Sequence, residues 1–194
     1  MSSERTGLPE GLDPASTPVF PVSIDKRRPE DDLFAGPHGA ALRAAVDGLE
    51  MAFANARLSD DFSGCPHCFM PSDIEYLRTT PPERLSLSDV YYVGTKLIST
   101  LGSADDVAYF TPRLVEALAQ GLPIDLDPII DRIAAIPEPL WTAERRGAVR
   151  DAFGALFAAV AVSESHYFSP EEIDRARRTF GIDTPTSAAC RRNA

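Results

Sequence analysis

From Pro37 to Gly181 the apolar positions recur at intervals of three and four residues, the period of helices that bury one face. Leu42, Ala45, Val46, Leu49, Phe53 and Ala56 form the first stripe, about five turns long. The segment Ser59 to Cys68 breaks the period and reads as loop. Ser72 with Glu75 signals the start of a short helix to Arg78, which Pro81-Pro82 ends. Leu87, Val90, Tyr91, Gly94, Leu97, Ile98 and Leu101 predict one helix closed by Gly102. Ser103 and Asp106 open another, with Val107, Phe110, Leu114 and Leu118 continuing to Gly121. Pro112 lies inside that pattern and predicts a kink or restart, because it lacks an amide donor and biases Thr111 away from helix.

Asp127-Pro128 opens a helix through Ile136. After Pro137-Glu138-Pro139, the residues Val149, Ala152, Phe153, Leu156, Phe157 and Val160 mark the clearest helix of the chain. Ser169-Pro170-Glu171-Glu172 starts the last one, and Phe180-Gly181 closes it. Seven helical segments with short connections predict an all-α fold, a single-domain antiparallel helical bundle over residues 37–181. An α-α repeat-like array is the alternative, although no self-similar motif links the helix pairs. Residues 1–36 keep no helical period and carry five prolines. They read as a partly disordered N-terminal tail, with Val19 to Ile24 as its docking segment, and residues 182–194 as a frayed C-terminal tail.

Charge narrows the function classes. The chain of 194 residues has a net charge of −10, which opposes nucleic-acid and anionic-membrane binding. Residues 37–140 hold 15 acidic and 7 basic residues, so the excess is concentrated there. Solvated helix faces explain such an excess, and so does an acidic surface for a basic protein partner. No apolar run reaches the roughly 18 residues of a membrane span, and the Met-Ser-Ser-Glu-Arg start has no apolar signal region. A cytoplasmic location follows as the expectation, with the three cysteines as reduced thiols.

One segment looks like a chemical motif, Cys65-Pro66-His67-Cys68. The same four letters occur in thiol oxidases of the thioredoxin fold, where they follow a strand and open a long helix. Here Ser59-Asp60-Asp61-Phe62-Ser63-Gly64 precedes them and Pro71 follows closely, so that context is missing. Zinc is the other sharp reading, with Cys65, Cys68 and His67 as ligands in one tight turn. A structural zinc site takes four ligands, and the remaining candidates, His38, His166 and Cys190, are distant in sequence. A metal-free loop with free or packed cysteines is the expected state, with no cofactor, and Zn2+ is the alternative.

The pairs Asp60-Asp61, Asp105-Asp106 and Glu171-Glu172 are explained for the most part by helix starts. No phosphate loop, nucleophile elbow or His-Glu-x-x-His is present. The run Ser99 to Leu114, with Gly102, Asp105-Asp106 and Phe110-Thr111-Pro112-Arg113, resembles the signature of a family of bacterial all-helical proteins of unassigned activity. In that family a Cys-x-x-Cys segment precedes the signature, and a tryptophan and a long apolar helix follow it, matched here by Trp141 and Phe153. Leu101 stands where the family has tryptophan, and Tyr109 where it has histidine. The resemblance implies the helical architecture and marks Asp105, Asp106, Tyr109, Arg113 and Trp141 as candidate binding residues. The expectation for function is a non-enzymatic helical adaptor or binding module with a protein partner. A thiol- or zinc-dependent enzyme centred on Cys65 and Cys68 is the alternative.

Overall fold

The computed structural model describes residues 31–163 and 168–183. Among them are seven α-helices: α1 (Gly39–Phe53), α2 (Pro71–Thr79), α3 (Leu87–Lys96), α4 (Ala104–Ala119), α5 (Leu126–Ala134), α6 (Ala143–Val160) and α7 (Pro170–Phe180). Extended pairing among the described residues is limited to two isolated bridges, Gly64 with Leu101 and Leu97 with Leu101. The fold is all-α. Val19 to Ile24, His166 and Cys190 lie outside the described residues.

The core forms around α4, which packs against α1, α3, α5 and α6. Val107, Ala108, Phe110, Leu114, Val115 and Leu118 of α4 are all buried, so apolar side chains cover most of its circumference. α1 lies against α6 as well as α4, and α5 lies on α7. A repeat array needs each unit to touch only its sequence neighbours, and the pairing of α1 with α6 does not meet that condition.

Pro112 neither ends nor restarts α4, which runs unbroken from Ala104 to Ala119. The proline removes one backbone hydrogen bond, but the apolar surface buried on both sides of it outweighs that loss. Thr111, fully buried, donates its hydroxyl to Val107 O at 2.8 Å and so stays inside the helix.

The long stripe from Leu87 to Leu101 divides. α3 stops at Lys96, and the chain turns back on itself so that Ile98 N–H reaches Leu101 O at 2.9 Å. Ile98 takes a left-handed φ of 67°, rare for a β-branched residue. Leu97 and Leu101 are both buried, so the apolar spacing survives although the helix does not.

Two other helix starts move. α2 begins at Pro71, and its first turn is held by Met70 N–H donating to Asp73 Oδ2 at 2.7 Å rather than by Ser72 and Glu75. Asp125, not Asp127, precedes α5. α7 keeps the expected start and end, with Ser169 and Glu172 bonded reciprocally and Gly181 left-handed.

Residues 31–36 belong to the folded body. Leu33 is buried in a 3-10 turn, Leu33–Ala35, that packs on α1 and α6, and Asp31 is fully buried. Gly121 makes room for this segment: at φ 78°, a Cβ there would lie 2.8 Å from Asp31 O.

Two buried carboxylates lock helix starts. Asp89 accepts from Ser86 N–H, Ser86 Oγ and Tyr76 Oη. Asp106 accepts from Ser103 N–H and Oγ on one oxygen, and from Ser59 N–H and Oγ on the other. Truncating Asp106 leaves these donors without a partner in a closed site. Asp106→Ala should therefore lower unfolding stability by about 3 kcal/mol in urea titration. Asp105→Ala, at an exposed position one residue earlier, should leave the midpoint nearly unchanged. Gly121→Ala should destabilise by roughly 1–3 kcal/mol and open residues 31–36 to limited proteolysis, since it adds both backbone strain and a clash.

Candidate functional site

Two places bring chemistry-bearing side chains together. The first is a cleft of about 510 Å3 between the end of α1, the turn at Pro81–Arg84 and the middle of α4. α1 contributes Glu50 and Phe53, the turn contributes Pro81, Pro82 and Glu83, and α4 contributes Tyr109, Pro112 and Arg113. The walls are thus rings and prolines, and two glutamates stand at the edge.

The cations of this cleft are already engaged. Arg113 donates Nη2 to Leu85 O at 2.9 Å and Nη1 to Glu116 at 2.6 Å. Arg57 donates Nη1 to Ala54 O at 2.8 Å and to Ala56 O at 2.7 Å. Arg43 pairs with Glu116 at 3.1 Å. Glu50 and Glu83 have no ion-pair partner among the described residues.

Both signs of charge thus line the cleft, Glu50 and Glu83 beside Arg57 and Arg113. Partial burial, and then the carboxylates of Glu116, Asp47 and Glu83, push the Glu50 carboxyl above its usual range, while Arg43 opposes them. Burial also raises the Tyr109 phenol, with Glu83 adding to the rise and Arg57 opposing it.

The five candidate binding residues do not form one site. Tyr109 and Arg113 share the cleft, although Arg113 is committed to the backbone and to Glu116. Asp106 is fully buried and spent on its four hydrogen bonds, and Asp105 is exposed at the start of α4. Trp141 lines a separate cleft of about 260 Å3 with Phe180 and Arg146. Phe53 stands between the two clefts, its ring meeting Trp141 edge-on at 6.4 Å. Glu50 and Glu83 carried no signal in the sequence beyond being two acids among many.

The second place is the Cys65–Cys68 turn. Cys65 N–H donates to Thr100 O at 2.8 Å, and Gly102 N–H donates to Ser63 O at 2.8 Å, so the turn is sewn to the loop after α3. Cys65 O accepts from Cys68 N–H at 2.9 Å and from Phe69 N–H at 3.0 Å. Tyr92 Oη donates to Cys68 O at 2.9 Å. The two cysteines are free and lie 4.4 Å apart.

His67 is exposed, with Nδ1 3.7 Å from Cys65 Sγ. A backbone hydrogen bond from His67 and its ring hold the Cys65 thiol below its usual range against an opposing effect of burial, with lesser help from Cys68. These bonds do what a helix N-terminus does for a reactive thiol elsewhere. α2 itself starts only at Pro71, so its dipole is not the source.

Among the described residues, no group of three or more His, Cys, Asp or Glu side chains converges as a metal cage. No helix of the described residues is long and apolar enough to cross a membrane. Comparison of the chain with protein-family models, with curated proteins and with solved structures returns no match.

The raised Glu50 pKa fixes the sign of its effect on stability. Its contribution is fully present below the ordinary carboxylate pKa and is lost as pH rises through the raised value. Glu50→Gln should therefore raise the unfolding midpoint at about pH 7, and the gain should fade toward about pH 3, where the glutamate is neutral in the folded and the unfolded chain. An equal gain at both pH values would show that the carboxylate is unstrained in the cleft.

Proposed function

We propose that the cleft at Glu50, Glu83 and Tyr109 is a non-enzymatic binding site that takes a basic segment of a protein partner. The observation that carries this reading is the pairing of two glutamates that have no ion-pair partner among the described residues with walls of Phe53, Pro81, Pro82, Tyr109 and Pro112. Such walls suit the methylene stem of a lysine or arginine, and the carboxylates suit its charged head. An occupant of the opposite charge would add to a repulsion that Glu50 already feels.

The reading also accounts for an unfavourable local arrangement. The carboxylates of Glu116, Asp47 and Glu83 together raise the Glu50 pKa against the opposing Arg43, and a bound cation relieves that repulsion. The basic residues toward the C-terminal end suit a partner surface less well. Arg146 pairs with Glu138, Arg175 with Asp127 and Asp131, and Arg177 with Asp174.

Selection of binders from a random peptide display library tests the proposal. The expected binders carry Lys or Arg beside an apolar residue, and their affinity falls with added salt. Replacing both Glu50 and Glu83 by Gln should weaken them about tenfold, while Trp141→Phe in the neighbouring cleft should not. Binders without basic residues, or binding indifferent to the two glutamates, would overturn it.

A further inference from the structure

The Cys65–Cys68 turn carries an inference independent of the acidic cleft. We propose that it is a dithiol–disulfide exchange site, in which Cys65 attacks a disulfide of a peptide or small thiol and Cys68 resolves the product. The geometry assigns the two roles. Cys65 is the outer thiol, its sulfur facing the His67 ring, whereas Cys68 packs against the hydrophobic core. A nucleophile that must meet a second molecule has to be the outer one, and the thiol that closes the ring has only to reach its neighbour. The separation of 4.4 Å puts the two cysteines within reach of a disulfide.

The backbone of the turn is held before any reaction. The Cys65 amide and carbonyl, the Cys68 amide and carbonyl and the Phe69 amide are all hydrogen-bonded, to Thr100, to Tyr92 or within the turn. Closing the ring therefore orders little additional chain. Two exposed apolar side chains flank the turn. Met70 is 55% exposed and follows it by two residues; Ile98 is 41% exposed and precedes Thr100, which anchors Cys65, by two. Ile98 is also the strained left-handed residue, a conformation that persists only where the surroundings over-determine it.

The step balances as follows. Cys65 thiolate attacks one sulfur of the incoming disulfide, forming a mixed disulfide and releasing one thiolate. Cys68 then gives up its proton and attacks Cys65 Sγ, forming the Cys65–Cys68 disulfide and releasing the second thiolate. The two thiol protons end on the leaving thiolates, with the His67 ring placed to relay one of them. The protein dithiol loses two electrons and the incoming disulfide gains them.

The experiment uses the full chain carrying Cys190→Ser, so that only the turn thiols react. Oxidised glutathione and a cyclic peptide disulfide with apolar flanks are the two probes, followed by intact-mass analysis. The expected product of either is a chain lighter by two hydrogens and reversible with dithiothreitol; the faster probe identifies the substrate source. Cys68→Ser should instead accumulate the mixed disulfide on Cys65, and Cys65→Ser should react at least about tenfold more slowly. A circular dichroism spectrum unchanged from the parent excludes unfolding of either variant. Persistence of mixed adducts on both cysteines of the parent, with no intraloop disulfide, would overturn the proposal. So would thiols that react only after a chelator strips a metal from them.

Discussion

A single buried carboxylate, Asp106, decides how the loops of this protein meet its helices. One oxygen closes the first turn of its own helix through Ser103, and the other takes the amide and hydroxyl of Ser59, 47 positions earlier. A carboxylate with no exposure is tolerated only when donors surround it, and four do so here. Because α4 touches α1, α3, α5 and α6, fixing its start against the Ser59 loop fixes that loop against the whole core. Ser63 then accepts from Gly102, Cys65 donates to Thr100, and the dithiol turn inherits its position. Gly102 is required at this junction: at φ 58°, a Cβ would come within 2.9 Å of Asp106 Oδ2 and 3.0 Å of the Phe62 ring.

The arginines supply the complementary device. Helix ends leave carbonyls without partners, and here guanidinium groups from other parts of the chain cover them. Arg145 reaches Ala52 O at the end of α1 and Arg132 reaches Thr95 O and Leu97 O at the end of α3, while Arg78 does the same for the loop carbonyls of Asp60 and Phe62. Burial lowers the Arg132 pKa, with Asp131 opposing that effect. Several of the 19 basic residues of a chain with a net charge of −10 thus direct their hydrogen bonds to backbone carbonyls rather than to carboxylates such as Glu50 and Glu83.

This also separates what the sequence disclosed from what it did not. Helix type was legible because burial of one face imposes a period, and the Ser103–Asp106 and Ser169–Glu172 starts were legible because their partners are three residues apart. The end of α3 was not legible. Leu97 and Leu101 keep helical spacing across a turn that buries both, so the pattern is the same whether or not the helix continues. The membership of residues 31–36 in the folded body was hidden for a different reason: the fit of Asp31 depends on Gly121, 90 positions on. Tyr109 and Arg113 were legible as neighbours on one helix face, but Glu50 and Glu83 reach them from other elements. Local patterns report local partners, and sites assembled by tertiary packing leave little trace.

The two sites share a support. Asp106, Tyr109 and Arg113 follow one another at helical spacing along α4, from the clamp on the loop to the wall of the cleft. Phe62, three residues before Cys65, packs on Phe110 at 6.1 Å, and Phe110 meets Tyr109 edge-on at 5.1 Å. A contiguous row of rings therefore runs from the dithiol segment to the cleft. Contiguity alone transmits nothing; coupling needs an element with two arrangements that both sites bias. Phe62 and Phe110 are almost fully buried, and Asp106 holds the start of α4 with every oxygen engaged. A support this constrained favours one geometry at each site, so the exchange proposed at the dithiol and the docking proposed in the cleft are expected as separate events on a common scaffold.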